Sequence, residues 1–171
     1  MELVWIRSML VRDLEGIKRE LAAYPDEQSL WIAPPAITNA AGNLALHCAG
    51  NIRHFIGAML GKSGYVRNRD REFAARGIPR ADIQAELDQA IAIVRQTLGP
   101  GASIDLNADF PETVGGRFRV NTGEWLVHLV AHLAFHLGQV GYLRRIVTGD
   151  AKSAGAMAIG DLSSARRLEP A

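Results

Sequence analysis

The chain has a single cysteine, Cys48, among 171 residues, so no intrachain disulfide is possible. That favours a reducing compartment and a cytoplasmic protein. It has no excess of either charge: 19 basic residues face 18 acidic ones, a net charge of +1. No basic footprint for nucleic acid or an anionic membrane follows from that balance. The opening Met1-Glu2-Leu3-Val4-Trp5-Ile6-Arg7 lacks the basic start and unbroken apolar stretch of a secretory signal. Residues 125–147 are the most apolar run, but three histidines, Gln139 and two arginines interrupt it, as in a buried helix rather than a membrane span. There is no internal repeat. The length suits one domain with its own core, expected over residues 1–150, with 151–171 as a tail or strap rich in Ala, Gly and Ser.

The apolar spacing predicts an all-α fold, a four-helix bundle with a crossover connection. Leu3, Ile6, Leu10, Leu14, Ile17 and Leu21 mark a first helix that closes near Tyr24-Pro25. A second is expected from a Thr38 or Asn39 cap to about Leu60, with Leu44, Cys48, Ile52, Phe55 and Met59 as its apolar arc. The alternating charges of Arg67-Asn68-Arg69-Asp70-Arg71-Glu72 read as a solvated connection. Ile83, Leu87, Ile91, Val94 and Leu98 give a third helix, from near Arg80 to Gly99-Pro100-Gly101. After a long loop, Asn121 and Glu124 stand as a capping box. The fourth helix then runs to about Thr148, with Gly149 past its end.

What the chain does have is histidine in two places only. His47 and His54 lie seven apart in the second helix; His128, His132 and His136 lie four apart in the fourth. Residues four apart differ by about 40° around a helix and one turn along it, so His132 and His136 can address one ion. A third imidazole must come from His47 or His54. If the two helices run antiparallel, His47 stands level with the pair; if parallel, the pairing reverses. Imidazole is the commonest neutral nitrogen ligand for a transition metal, and three of them leave open positions for water or substrate. His47 lies about 100° from the centre of its helix's apolar arc, at the edge.

The segment His132-Leu133-Ala134-Phe135-His136-Leu137-Gly138-Gln139-Val140 resembles the last-helix signature of the DinB family, also called DinB/YfiT-like, which reads His-x-x-x-His-x-Gly-Gln and then an aliphatic residue. Gly42-Asn43-Leu44-Ala45-Leu46-His47, Trp31 in its proline-bearing approach, and Arg69-Asp70-Arg71-Glu72-Phe73 are similar to other family segments. The resemblance spans roughly residues 1–148. It implies a divalent metal, nickel or zinc, held by His47, His132 and His136. His54 and His128 fall outside the pattern, as pocket residues. It also implies a small-molecule substrate and a homodimer. Members with known activity include bacillithiol transferases and mycothiol-dependent maleylpyruvate isomerases, so a low-molecular-weight thiol is the implied cosubstrate. The expected function is a metal-dependent, thiol-dependent S-transferase. A hydrolase on the same site, or a bundle that holds metal without turnover, are the alternatives.

Gln139 is placed to hold a ligand histidine's second ring nitrogen, and Asn51 and Trp125 to support or line the site. The nearest candidates for acid–base work are His54, His128 and Glu124. Cys48 points into the apolar arc as a buried thiol. Ala131, Ala134, Gly138 and Gly141 form a strip of small residues, the expected dimer seam.

Overall fold

A computed structural model describes residues 2–168. Its helices are α1 (Leu3–Ala22), α2 (Ala41–Ile52, continuing with π spacing over Arg53–Leu60), α3 (Arg69–Ala74), α4 (Arg80–Thr97) and α5 (Thr122–Thr148). Among the described residues there is no strand. Two isolated bridges, Asp109 with Asn121 and Val114 with Phe118, pin the 98–121 connection. The fold is the all-α bundle expected. α1 and α2 each pack against both α4 and α5, so each of these pairs sits largely at opposite corners. One continuous core joins Leu10, Leu14 and Ile17 of α1 to Leu87 and Val94 of α4 and Leu129 and Leu133 of α5, all essentially inaccessible. Each such side chain contributes about 1.5–3 kcal/mol of transfer free energy.

Four details differ from the sequence reading. The N-cap of α2 is Ala40, which has no side chain able to cap; Thr38 and Asn39 lie outside the helix and line a cleft instead. α2 is buried on every side from Ala41 to Ile52, because both bundle layers close over it and α3 covers what remains. Its apolar arc therefore does not mark which face is inside. From Arg53 the hydrogen bonds widen, as Gly61 N–H reaching the Ile56 carbonyl shows, and the α-helical wheel no longer applies. The charged stretch is a solvated connection only in part: Asn68, Arg69, Asp70 and Arg71 are exposed, but it carries a short helix whose Glu72 turns inward. Asn68 caps α3 by accepting from Arg71 N–H, and the helix buries Glu72.

α5 is framed as expected. Asn121 Oδ1 accepts from Glu124 N–H at 2.7 Å, and Gly149 ends the helix at φ 71°. By length and composition α5 could cross a membrane, yet Leu126, Leu129, Leu133 and Leu137 pack into the core.

Part of the tail, from Asp150 to Asp161, touches the bundle. Arg144, fully buried, pairs through Nε with Glu20 of α1 and donates through Nη1 to the Asp150 carbonyl at 3.0 Å. Its other terminal nitrogen holds the Lys152 carbonyl. Further on, Ala156 lays its carbonyl against Gly16, where any Cβ would meet that oxygen at 2.5 Å. Residues 169–171 of the tail lie outside the described part. Replacing Arg144 by Ala strands Glu20 in the interior. We expect a loss of about 3–5 kcal/mol in urea unfolding. The tail should also become the first segment cut in limited proteolysis.

Candidate metal centre

His47 projects from the middle of α2, and His132 and His136 from consecutive turns of α5. His47 Nε2 lies 3.4 Å from His132 Nε2, and His136 Nε2 lies 3.1 Å from the same atom. All three nitrogens fall within 4.8 Å of one another. This is the pairing that antiparallel helices would give. Three ligands about 2.0–2.1 Å from one tetrahedral ion stand about 3.3 Å apart. The two separations from His132 match that edge and the third lies within 4.8 Å, so the residues present fit a divalent metal.

The proton positions fit as well. His136 Nδ1–H donates to Gln139 Oε1 at 2.7 Å. His47 Nδ1–H donates to Glu72 Oε2 at 3.0 Å. Arg67 grips the same carboxylate with two bonds, Nε to Oε1 at 2.8 Å and Nη2 to Oε2 at 2.7 Å. Arg67 Nη2 also comes within 3.1 Å of His47 Nδ1, but both groups are donors. The shared acceptor is Glu72. With both Nδ1 protons committed, two bare Nε2 lone pairs face His132 Nε2. One N–H on His132 can satisfy only one of them, whereas a cation satisfies all three.

Electrostatics keeps the lone pairs free. Burial, reinforced by the neighbouring imidazoles of His136, His47 and His128, lowers the His132 pKa to about 4. Burial lowers that of His136 too, against the opposing bond to Gln139. Burial alone would raise the Glu72 pKa, but the bonds from Arg67 and His47 outweigh it and hold the carboxylate ionised. His132 and His136 are thus held uncharged, and the His47 ring turns its Nε2 toward them while its Nδ1–H is bonded to a compensated ion pair, the arrangement that metal binding requires.

Of the remaining sequence candidates, Gln139 is at the triad, on His136. His54 is not: its Nε2–H donates to Glu112 Oε2 at 2.7 Å, and its Nδ1 is buried without a described partner. His128 is exposed and stacks between Trp125 (4.7 Å) and His132 (6.1 Å). Trp125 packs on Phe55 and Phe110, with its Nε1 buried and unpartnered among the described residues. Asn51, one turn beyond His47, is buried with an unpartnered Oδ1. Glu124 is exposed at the start of α5, near the other candidates only through Trp125 beside it. Cys48 is buried, which raises its thiol pKa and leaves it inert.

Sequence reading missed Glu72, Arg67 and Glu112. Glu72 carried one signal, the family-like segment it sits in. Its burial was hidden by the charges around it. Phe73, from the same segment, lies over His47 at 4.9 Å, and the Arg69 guanidinium caps Phe73 at 4.9 Å. Gly50 makes this approach possible, since a Cβ there would land on the Glu72 carboxylate.

Two outcomes follow. Glu72→Gln should weaken metal affinity about 10–100-fold, measured by competition with a chromophoric chelator, while His54→Ala leaves it unchanged. In metal-free protein, His132 takes up its proton only near pH 4, whereas the unfolded chain does so near its ordinary 6.5. Its contribution to stability is complete above 6.5 and fades as pH falls toward 4. Thermal denaturation should show Tm falling through that window, less steeply in His132→Gln.

Compared with known proteins, the chain matches a family model described as mycothiol-S-transferase over residues 5–149. No curated protein and no solved structure matches it.

Proposed function

This chain belongs to the mycothiol-S-transferase family, a DinB/YfiT-like family, and we propose that it is a metal-dependent enzyme that couples a low-molecular-weight thiol to an electrophile. The observation that carries the reading is the convergence of three Nε2 atoms, two of them on rings, His47 and His136, whose opposite Nδ1–H is already bonded. His47, His132 and His136 would hold the ion, nickel or zinc. Three ligands leave it open positions, and a divalent cation there would lower the pKa of a thiol enough to make it a thiolate near neutral pH.

The chain's own part is positional. Glu72 and Arg67 lock the tautomer and tilt of His47; Gln139 does the same for His136. Trp125, Phe55 and Phe110 shut water out of one flank, with His128 stacked at its exposed edge. In the transfer itself a sulfur–carbon bond forms as the electrophile's leaving group departs with the electron pair, and the thiol proton goes to solvent. His128 is the exposed imidazole nearest the triad and the candidate to relay that proton. The reading includes a single domain over 1–150, a cytoplasmic location, which the lone buried Cys48 suits, and a small molecule as the partner.

A second copy is the proposed partner of α5. The small-residue strip divides in the fold: Gly141 is buried beside Glu20, whereas Ala131 and Gly138 are exposed. The exposed line is Val127, Ala131 and Phe135, with Phe135 63% accessible, and no charge lies on α5 between Glu124 and Arg144. Such a face suits a two-fold contact with itself.

Elemental analysis of protein purified without added metal should find about one ion per chain, and His132→Ala should lose it while keeping its helical circular dichroism. A panel of thiols and alkylating electrophiles should give turnover only with metal-loaded wild type. Metal bound without turnover on any pair would leave a hydrolase or a binding module. Phe135→Glu should shift the sedimentation coefficient from dimer to monomer without loss of metal.

A further inference from the structure

The two helices that carry the triad satisfy their buried polar groups except at one level. Among the described residues, α2 from Ala41 to Ile52 holds one buried side-chain polar atom without a hydrogen bond, Asn51 Oδ1. α5 also holds one, Trp125 Nε1. Buried polar atoms are nearly always bonded, so two of them on helices that pack together ask for a common reason. Asn51 is 7% accessible and lies four residues after His47 and four before Phe55. His47 meets His132 across the interface, and Phe55 meets Trp125 with their rings 5.0 Å apart. Asn51 therefore stands between the triad and the aromatic rings, level with the stack of Trp125, His128 and His132.

The two atoms are opposite in kind. The Asn51 oxygen can only accept a hydrogen bond, and the Trp125 indole N–H can only donate one. They are not bonded to each other. An occupant of this level must therefore offer one donor and one acceptor. Neither atom carries a charge, so neither would balance an ion. A carboxamide offers both groups, its N–H to Asn51 and its carbonyl to Trp125. Phe55 and Phe110 pack around the indole and keep water from competing for it. A hydrogen bond from Trp125 to a carbonyl also draws electrons from the carbon beside it, which favours attack there by a thiolate. A thiol gains nothing comparable from such a donor, so the occupant is the other reactant.

We propose that Asn51 and Trp125 form a subsite for the carboxamide group of a small, uncharged electrophile. The proposal rests on the transferase reading and names a substrate class for it. Chloroacetamide represents that class: its chloride leaves with the electron pair as the sulfur–carbon bond forms.

The test is a titration of zinc-loaded protein with propionamide, followed by the indole N–H resonance of Trp125, which is assigned by its loss in Trp125→Phe. The resonance should move downfield and saturate. Butanone keeps the carbonyl and lacks the N–H, and should bind about threefold to tenfold more weakly. Asn51→Leu should bring the two affinities together while keeping the zinc. An unmoved Trp125 resonance, as an ordered water at this level would give, overturns the proposal. So does equal affinity for propionamide and butanone in the wild type, or a shift confined to Trp31, whose Nε1 is also buried without a described partner. Should Asn51→Leu not fold, the wild-type comparison decides alone. If no thiol reacts with chloroacetamide or any other electrophile, the transferase reading falls separately, and the indole titration, which uses no thiol, still decides the subsite.

Discussion

The bond between His47 and Glu72 is the constraint on which the centre depends. An imidazole in a helix can rotate and can carry its proton on either nitrogen. Glu72 removes both freedoms at once, and Arg67 makes it able to do so by keeping it charged in a buried place. The ion pair is costly to bury and is supported by three hydrogen bonds among three side chains. Gly50 then sets how near α3 can come. Two members of the charged segment before α4, Arg67 and Glu72, thus serve the interior of the bundle while the others stay at its surface.

The bundle and two of the histidines were legible from periodicity, because α1, α4 and α5 each have one wet face and so write a 3.6-residue pattern. His132 and His136 needed only the spacing of four. His47 did not follow from the wheel. α2 is buried all round, so its pattern has no dry side to mark, and the resemblance singled out His47 where residue geometry left it level with His54. Glu72 was unreadable for the opposite reason. A carboxylate among arginines looks solvated unless one knows that a guanidinium and an imidazole are folded over it. Thr38 and Asn39 look like helix caps by composition, but the chain uses them to line a cleft and begins the helix on alanine.

The two flanks of the triad differ in character. On one, aromatic rings run from Phe110 and Phe55 through Trp125 to His128 and His132, closing the interior. On the other, the strained Pro35-Ala36 turn and the last turns of α5 leave an open cleft without charge. His136 stands in the wall of the open cleft, whereas His128 is exposed at the outer edge of the aromatic flank.

The widened turns over Arg53–Leu60 have a consequence of their own. A helix acquires such spacing by taking in one more residue than its rise requires. The widened stretch begins after His47 and includes Phe55, so the metal-facing imidazole and part of the aromatic flank sit on differently wound parts of one helix. A change of winding confined to Arg53–Leu60 would therefore turn Phe55 against Trp125 without displacing the imidazole one helical segment earlier.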